Sequence, residues 1–106
     1  MNFDPTVGTE IKKIRPAVVI SSNEIGILPI KLIAPITDWK DRYSRNLWHV
    51  KIDPTTDNGL SKSSAVDTLQ LRGVDTQRFI KKLGALTPEE IASIVIAVVT
   101  VIEAEV

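Results

Sequence analysis

The spacing of apolar positions changes along this chain, and each spacing predicts a different element. Arg15-Pro16 leads into Ala17-Val18-Val19-Ile20, a short β-branched run suited to a strand buried on both faces. Pro16 has no backbone N–H to donate, so it belongs at the start of that strand or on an edge. Ile27 to Thr37 is a second apolar run. Pro29 and Pro35 within it predict a bulged or edge-bordered strand rather than a plain central one. Leu47 to Ile52 alternates: Trp48, Val50 and Ile52 share one face, His49 and Lys51 the other, as in a half-buried strand. Ser63 to Leu69 predicts a further strand that Gln70 to Val74 continues or pairs with. Phe79 to Leu86 predicts a last short strand, with Gly84 as a bulge.

Turn and cap signals separate these runs. Phe3 to Lys13 reads as a loop, broken by Asp4-Pro5-Thr6 and Gly8. Asn23 to Gly26, Asp53-Pro54 and Asp57-Asn58-Gly59 read as turns, and Asp75-Thr76-Gln77-Arg78 as one helical turn opened by an Asp cap. Thr87-Pro88-Glu89-Glu90 is a capping box with Thr87 as N-cap, Pro88 at N1 and Glu90 at N3. Ile91, Ile94, Val95, Val98, Val101 and Ile102 follow at helical spacing, predicting a helix of roughly 16 residues. The helix is apolar on almost all sides, which suits core packing and a partner contact alike. Strands followed by one terminal helix predict a mainly β domain, a small antiparallel barrel or sheet packed on that helix.

Composition narrows the chemistry. The chain has 106 residues, enough for one domain with one core. It has no cysteine, which excludes disulfides, Cys-based zinc sites and thiol nucleophiles, and its one histidine, His49, excludes any mechanism needing a His pair. The net charge is zero, yet residues 1–52 carry eight Lys/Arg against five acids and the rest five against eight. A basic half beside an acidic half suits an anionic ligand on one side, or is a fluctuation of a short chain. The N-terminus shows no basic n-region and no apolar h-region. Ile91 to Ile102, twelve residues without a charge, falls short of the ~20 needed to span a bilayer. A soluble, cytoplasmic protein without a membrane partner is expected.

Several residues have both a chemical and a structural reading. Arg15, just ahead of a buried strand, presents a fork of donors that can bind phosphate, or is a strand-end charge. Thr37 can bond a phosphate oxygen or cap a turn. Trp39, Tyr43 and Trp48 interleave with Lys40, Arg42 and Arg45, a pattern that suits single-stranded nucleic acid. Trp48 is also a core position by its alternation, and Lys40 to Arg45 is also a solvated loop. His49, without Cys or a carboxylate cluster, is a poor metal site and reads as an exposed or partly satisfied histidine. No P-loop, G-x-G-x-x-G or G-x-S-x-G is present, so nucleotide cofactors and α/β-hydrolase chemistry find no support.

The residues Asn2-Phe3-Asp4-Pro5-Thr6-Val7-Gly8-Thr9-Glu10 and Arg15-Pro16-Ala17-Val18-Val19-Ile20-Ser21 resemble the MazF/PemK family of toxin endoribonucleases. Ala34-Pro35-Ile36-Thr37, Asp67-Thr68-Leu69-Gln70-Leu71-Arg72 and Phe79 to Glu103 extend the resemblance over nearly the whole chain, as one domain spanning 1–106. It implies the SH3-like barrel of the MazF/PemK/CcdB superfamily, a homodimer, metal-independent and sequence-specific cleavage of single-stranded RNA, no cofactor, and a cognate antitoxin. Arg15 and Thr37 match the family's catalytic pair. Glu10 matches a position on the mobile loop near substrate, where Lys12 and Lys13 also fall, and Gln70 matches a position near the RNA groove; Trp39 joins them as a substrate-binding residue. Members usually open with a Gly-acid-aliphatic-aromatic strand before the Asp-Pro segment. This chain starts at Met1-Asn2-Phe3, so that first strand is expected to be missing and an edge unpaired. The alternative is a binding protein on the same barrel, either a catalytically inactive antitoxin binder or a gyrase-targeting one. A generic nucleic-acid-binding module of that fold is a third reading.

Overall fold

The computed structural model describes residues 6–10, by their backbone, together with residues 15–21 and 28–102. The expected turn at Asn23 to Gly26, the positions of Lys12 and Lys13, and Glu103 lie outside the described residues. Seven strands and one α-helix follow one another: β1 (Thr6–Glu10), β2 (Pro16–Val19), β3 (Ile30–Asp38), β4 (His49–Ile52), β5 (Ser64–Asp67), β6 (Arg72–Asp75), β7 (Phe79–Ala85) and α1 (Pro88–Ile102). Short 3-10 helices occupy Asp41–Arg45, Thr68–Gln70 and Thr76–Arg78.

All described pairings are antiparallel, in the order β4-β5-β3-β2-β1-β7, with β6 also on β3. This is the mostly antiparallel, helix-terminated fold that the pattern and the resemblance imply. Among the described residues β4 and β7 end the sheet without pairing to each other, so the barrel is not closed by a hydrogen-bonded ladder.

Two expectations are corrected. The segment read as a loop contains β1, which is paired on both sides, by β2 and by β7. Its mixed composition and Gly8 hide a strand whose partners come from residues far along the chain. The second correction concerns β3, which is central despite its proline. One edge pairs with β2; the other pairs with β6 over Ile30–Ile33 and with β5 over Ile36–Asp38. Pro35 falls in the gap between those two partners, where the ladder already breaks and a missing N–H costs least.

Other signals are found where the sequence puts them. Pro16 opens β2. The Asp75 carboxylate accepts from Gln77 N at 2.8 Å, capping the turn at Thr76–Arg78. The β1–β7 register skips a residue next to Gly84. The capping box is formed: Glu90 N donates to Thr87 Oγ1 at 3.1 Å and Thr87 N to Glu90 Oε1 at 2.9 Å.

The core has two parts, set by the pleat. Val18, Ala34, Ile36, Ile52, Val66 and Leu86 meet Ile94 of α1 on one face of the sheet. Ala17, Ile33 and Val74 pack on the other. Helix α1 buries only Ile94 and Ala97 fully, while Val95, Ile96, Val99 and Ile102 are exposed. Val95 and Ile102, placed by spacing on the packed stripe, therefore face outward. Trp48 is half-buried and stays outside both clusters.

Candidate functional site

The ladders decide which distant residues meet. In β2 and β3, Ala17 pairs with Pro35 and Val18 with Ala34. Arg15 immediately precedes β2, and continuing that register two residues brings it to the side of Thr37. Both side chains are exposed. In β1 and β2, Thr9 pairs with Pro16, so one further step sets the backbone of Glu10 opposite Arg15. On the other side Thr37 pairs with Ala65, and Ala65 with Lys51. Thr37, Ala65 and Lys51 thus form one row across β3, β5 and β4, which Arg15 and the backbone of Glu10 extend by continuation of the β2–β3 and β1–β2 registers. Residues opposite each other in a ladder share a face. Arg15, Thr37 and Lys51 accordingly stand on the face away from α1, a guanidinium, a hydroxyl and an ammonium in line.

Asp38, next to Thr37, points to the other face. Its carboxylate pairs with Lys62 Nζ at 2.9 Å, which draws its charge away from Arg15 and Thr37. Among the described residues the Thr37 hydroxyl has only a long contact, 3.4 Å to Asp38 O.

An aromatic group flanks this row. Trp39 N donates to Ser63 O at 3.0 Å, prolonging the β3–β5 ladder and holding Trp39 on the Thr37 face. Lys51 Nζ lies 5.3 Å from the Trp39 ring centre, a cation–π contact. The turn at Asp41–Arg45 brings Tyr43 edge-on to Trp39, with centroids 5.9 Å apart. Tyr43 in turn stacks on His49 at 4.0 Å, with planes 10° apart. Arg42 sits 5.4 Å from the Tyr43 ring centre. Of the basic and aromatic residues that alternate in sequence, Trp39, Tyr43 and Arg42 therefore form one patch with Lys51 and His49 beside the row.

These positions fit one family. A model of PemK-like, MazF-like toxins of type II toxin–antitoxin systems matches residues 1–102. The chain belongs to that family. Among curated proteins none matches it. Solved structures agree in fold. The Mycobacterium tuberculosis toxin MazF-mt6 is 18% identical, with 96% of this chain and 99% of that one covered and a TM-score of 0.80. A mycobacterial endoribonuclease in complex with its cognate antitoxin is 16% identical over 100% and 99%, with a TM-score of 0.81. A MazE–MazF structure from Deinococcus radiodurans is 17% identical over 98% of each chain, with a TM-score of 0.73.

Within this MazF-like chain the residues expected to act together do not all meet at one point. Arg15, Thr37 and the backbone of Glu10 share the row. Trp39 lies beside its Lys51 end. Gln70 stands at the end of the turn Thr68–Gln70, exposed, with Nε2 bonded to Asp67 Oδ2 at 2.7 Å. Lys12 and Lys13 fall outside the described residues. Three residues escaped the sequence reading as members of the site. Lys51 was visible only as the partner of His49 in a period-2 pattern. Asp67 and Asn46 gave no signal, because their contacts with His49 depend on a cross-strand pair and a loop. His49 itself is nearly buried, bonded at Nδ1 to Asn46 Nδ2 at 3.0 Å. Among the described residues no three His, Cys, Asp or Glu side chains gather to hold a metal, and no helix is long and apolar enough to cross a membrane.

Proposed function

We propose that this toxin-family protein is a sequence-specific, metal-independent endoribonuclease that cleaves single-stranded mRNA. What supports the reading most is that the β2–β3 register, continued past its last pair, brings the exposed Arg15 to the side of the exposed Thr37. The ribose 2′-OH attacks the adjacent phosphorus, a P–O2′ bond forms and the P–O5′ bond breaks. The proton lost from the 2′-OH passes to solvent, and the departing 5′ oxygen takes one up. The products are a 2′,3′-cyclic phosphate and a 5′-hydroxyl. Arg15 supplies two parallel N–H donors to the charge that builds on the phosphorane oxygens. A guanidinium stays cationic at neutral pH, so its part is electrostatic rather than that of a base. Thr37 donates its hydroxyl to a non-bridging oxygen. Lys51, two strands further along, neutralises a neighbouring phosphate, and Trp39 offers a ring to a base. Glu10, Lys12, Lys13 and Gln70 complete the substrate contacts in this reading.

The partners in the same reading are a second copy of the chain and a cognate antitoxin, in the cytoplasm. The exposed apolar positions of α1 (Val95, Ile96, Val99 and Ile102) favour a protein contact there. Structures of similar fold that hold a cognate antitoxin or MazE support the antitoxin.

The test is incubation of long single-stranded RNA with the purified protein in EDTA, with the new ends mapped and Arg15→Ala as control. Discrete 5′-hydroxyl ends that vanish with Arg15→Ala are expected. Ends that require added metal, or that persist in Arg15→Ala, overturn the mechanism. RNA left intact overturns the nuclease reading in favour of a binding protein on this fold.

A further inference from the structure

Beside the row of Arg15 and Thr37, a chain of hydrogen-bonding groups leads from the aromatic patch to Gln70. His49 and Asp67 face each other across β4 and β5. Asn46 Nδ2 contacts His49 Nδ1 at 3.0 Å, and His49 Nε2 stands 4.0 Å from Asp67 Oδ2. Asp67 is buried. Its Oδ1 accepts from Leu69 N at 3.0 Å, and its Oδ2 accepts from Gln70 Nε2 at 2.7 Å.

This arrangement fixes which way the Gln70 amide faces. An amide is nearly symmetrical in shape, and its two ends are told apart only by their partners. An ionised carboxylate accepts and cannot donate. The nitrogen of Gln70 must therefore turn to Asp67, and the carbonyl Oε1 is left on the far side. Gln70 is exposed and bonds to Asp67, whose place in the β3–β5 ladder puts it on the Thr37 face, so that oxygen is presented to solvent at the rim of that face. Asp67 stands one strand across and two residues along from Thr37, opposite Pro35 by continuation of the β3–β5 register. Its Cα lies roughly 8 Å from that of Thr37 by strand spacing and rise. A base next to the phosphate held at Thr37 comes within reach.

We propose that Asp67 is a positioning residue that sets the polarity of Gln70, so that this subsite selects an amino base over a keto base. Adenine and cytosine carry an exocyclic amine, which donates to Oε1. Guanine and uracil carry a carbonyl at the equivalent place, which meets Oε1 as a second acceptor, so they must shift to offer the neighbouring ring N–H and are disfavoured. The proposal rests on RNA being the ligand. It adds which chemical edge is read and which residue enforces the reading.

The decisive variant is Asp67→Asn. Asparagine caps a helical turn as well as aspartate does, so the bond from Leu69 N is kept. It can also donate, which frees Gln70 to turn its amide over. The probes are two sets of short RNAs differing only in an amino or keto base beside the cleavage point. One set is cleavable and the other carries a 2′-O-methyl group there, for binding by fluorescence anisotropy. The wild type is expected to bind and cleave the amino set about 10-fold to 100-fold better. In Asp67→Asn the amide nitrogen takes the place of Oδ2 and turns Gln70 Nε2 outward, so the ratio is expected to fall to about unity or to invert toward the keto set. Gln70→Ala should flatten the ratio, and thermal unfolding shows that each variant is folded. An unchanged ratio in folded Asp67→Asn, or a wild type that prefers keto bases or neither, overturns the proposal. Selective binding of the uncleavable set without cleavage of the other overturns the nuclease reading and leaves this proposal standing. Absence of binding to either set overturns both.

Discussion

Thr37 and Lys51 pair with the same residue, Ala65, from opposite sides. One small side chain separates them, so a hydroxyl and an ammonium face the same groove two strands apart. Lys51→Met is expected to weaken RNA binding about equally for all sequences and to reduce the salt slope of log K by about one. Cleavage at saturating RNA should change little. Anisotropy titrations at several salt concentrations check this.

Arg15 and Thr37 are exposed and hold no core contact, so their removal should separate function from folding. Arg15→Ala and Thr37→Val are expected to lower cleavage about 10²-fold or more while unfolding stays within about 0.5 kcal/mol of wild type. Arg15→Lys should also lose at least about tenfold, because an ammonium lacks the planar fork. Single-turnover rates and urea melts measure the two sides.

The stacked pair Tyr43 and His49 anchors the Asp41–Arg45 turn to β4. Tyr43→Ala should destabilise by about 1 to 2 kcal/mol, from lost area and ring interaction. Tyr43→Phe keeps the ring and should be near neutral. Denaturant midpoints distinguish them.

Asn58 is fully buried and bonds three backbone groups of its loop. Oδ1 accepts from Thr55 N and Leu60 N, each at 3.0 Å, and Nδ2 donates to Asp53 O at 2.8 Å. Asn58→Ala leaves three backbone groups without partners, and a loss of about 3 kcal/mol is expected in urea unfolding. The same loop presses on β7: a Cβ at Gly84 would lie 2.2 Å from Asp57 O. Gly84→Ala must displace backbone and should cost about as much.

Thr87→Ala removes the acceptor of Glu90 N. About 1 kcal/mol is expected, a Tm lower by about 5 °C. Thr87→Ser should restore most of it.

What the sequence made legible was local. The capping box at Thr87, the Asp75 cap, Pro16 at the head of β2 and the alternation of His49 and Lys51 each depend on residues a few positions apart. Strand β1 was not legible, because its support comes from Pro16–Val18 and from Phe79–Ala85. The candidate site divides the same way. Arg15 and Thr37 could be named from motifs, but their opposition is a property of register, which hydrophobic pattern fixes only once the strands are paired. Asp67 had to wait for its cross-strand neighbour His49.

Strand β3 passes its edge from β6 to β5 between Ile33 and Ile36, and the turn carrying Gln70 bridges that splice. Thr68 pins the bridge, donating its hydroxyl to Trp48 O at 2.8 Å. The exposed Leu69 and Gln70 are spared ladder duty. Substitution there alters what the surface recognises while the strands on either side keep their register. Two side chains can thus be exchanged at this splice without disturbing the pairing of β2 with β3 or of β3 with β5.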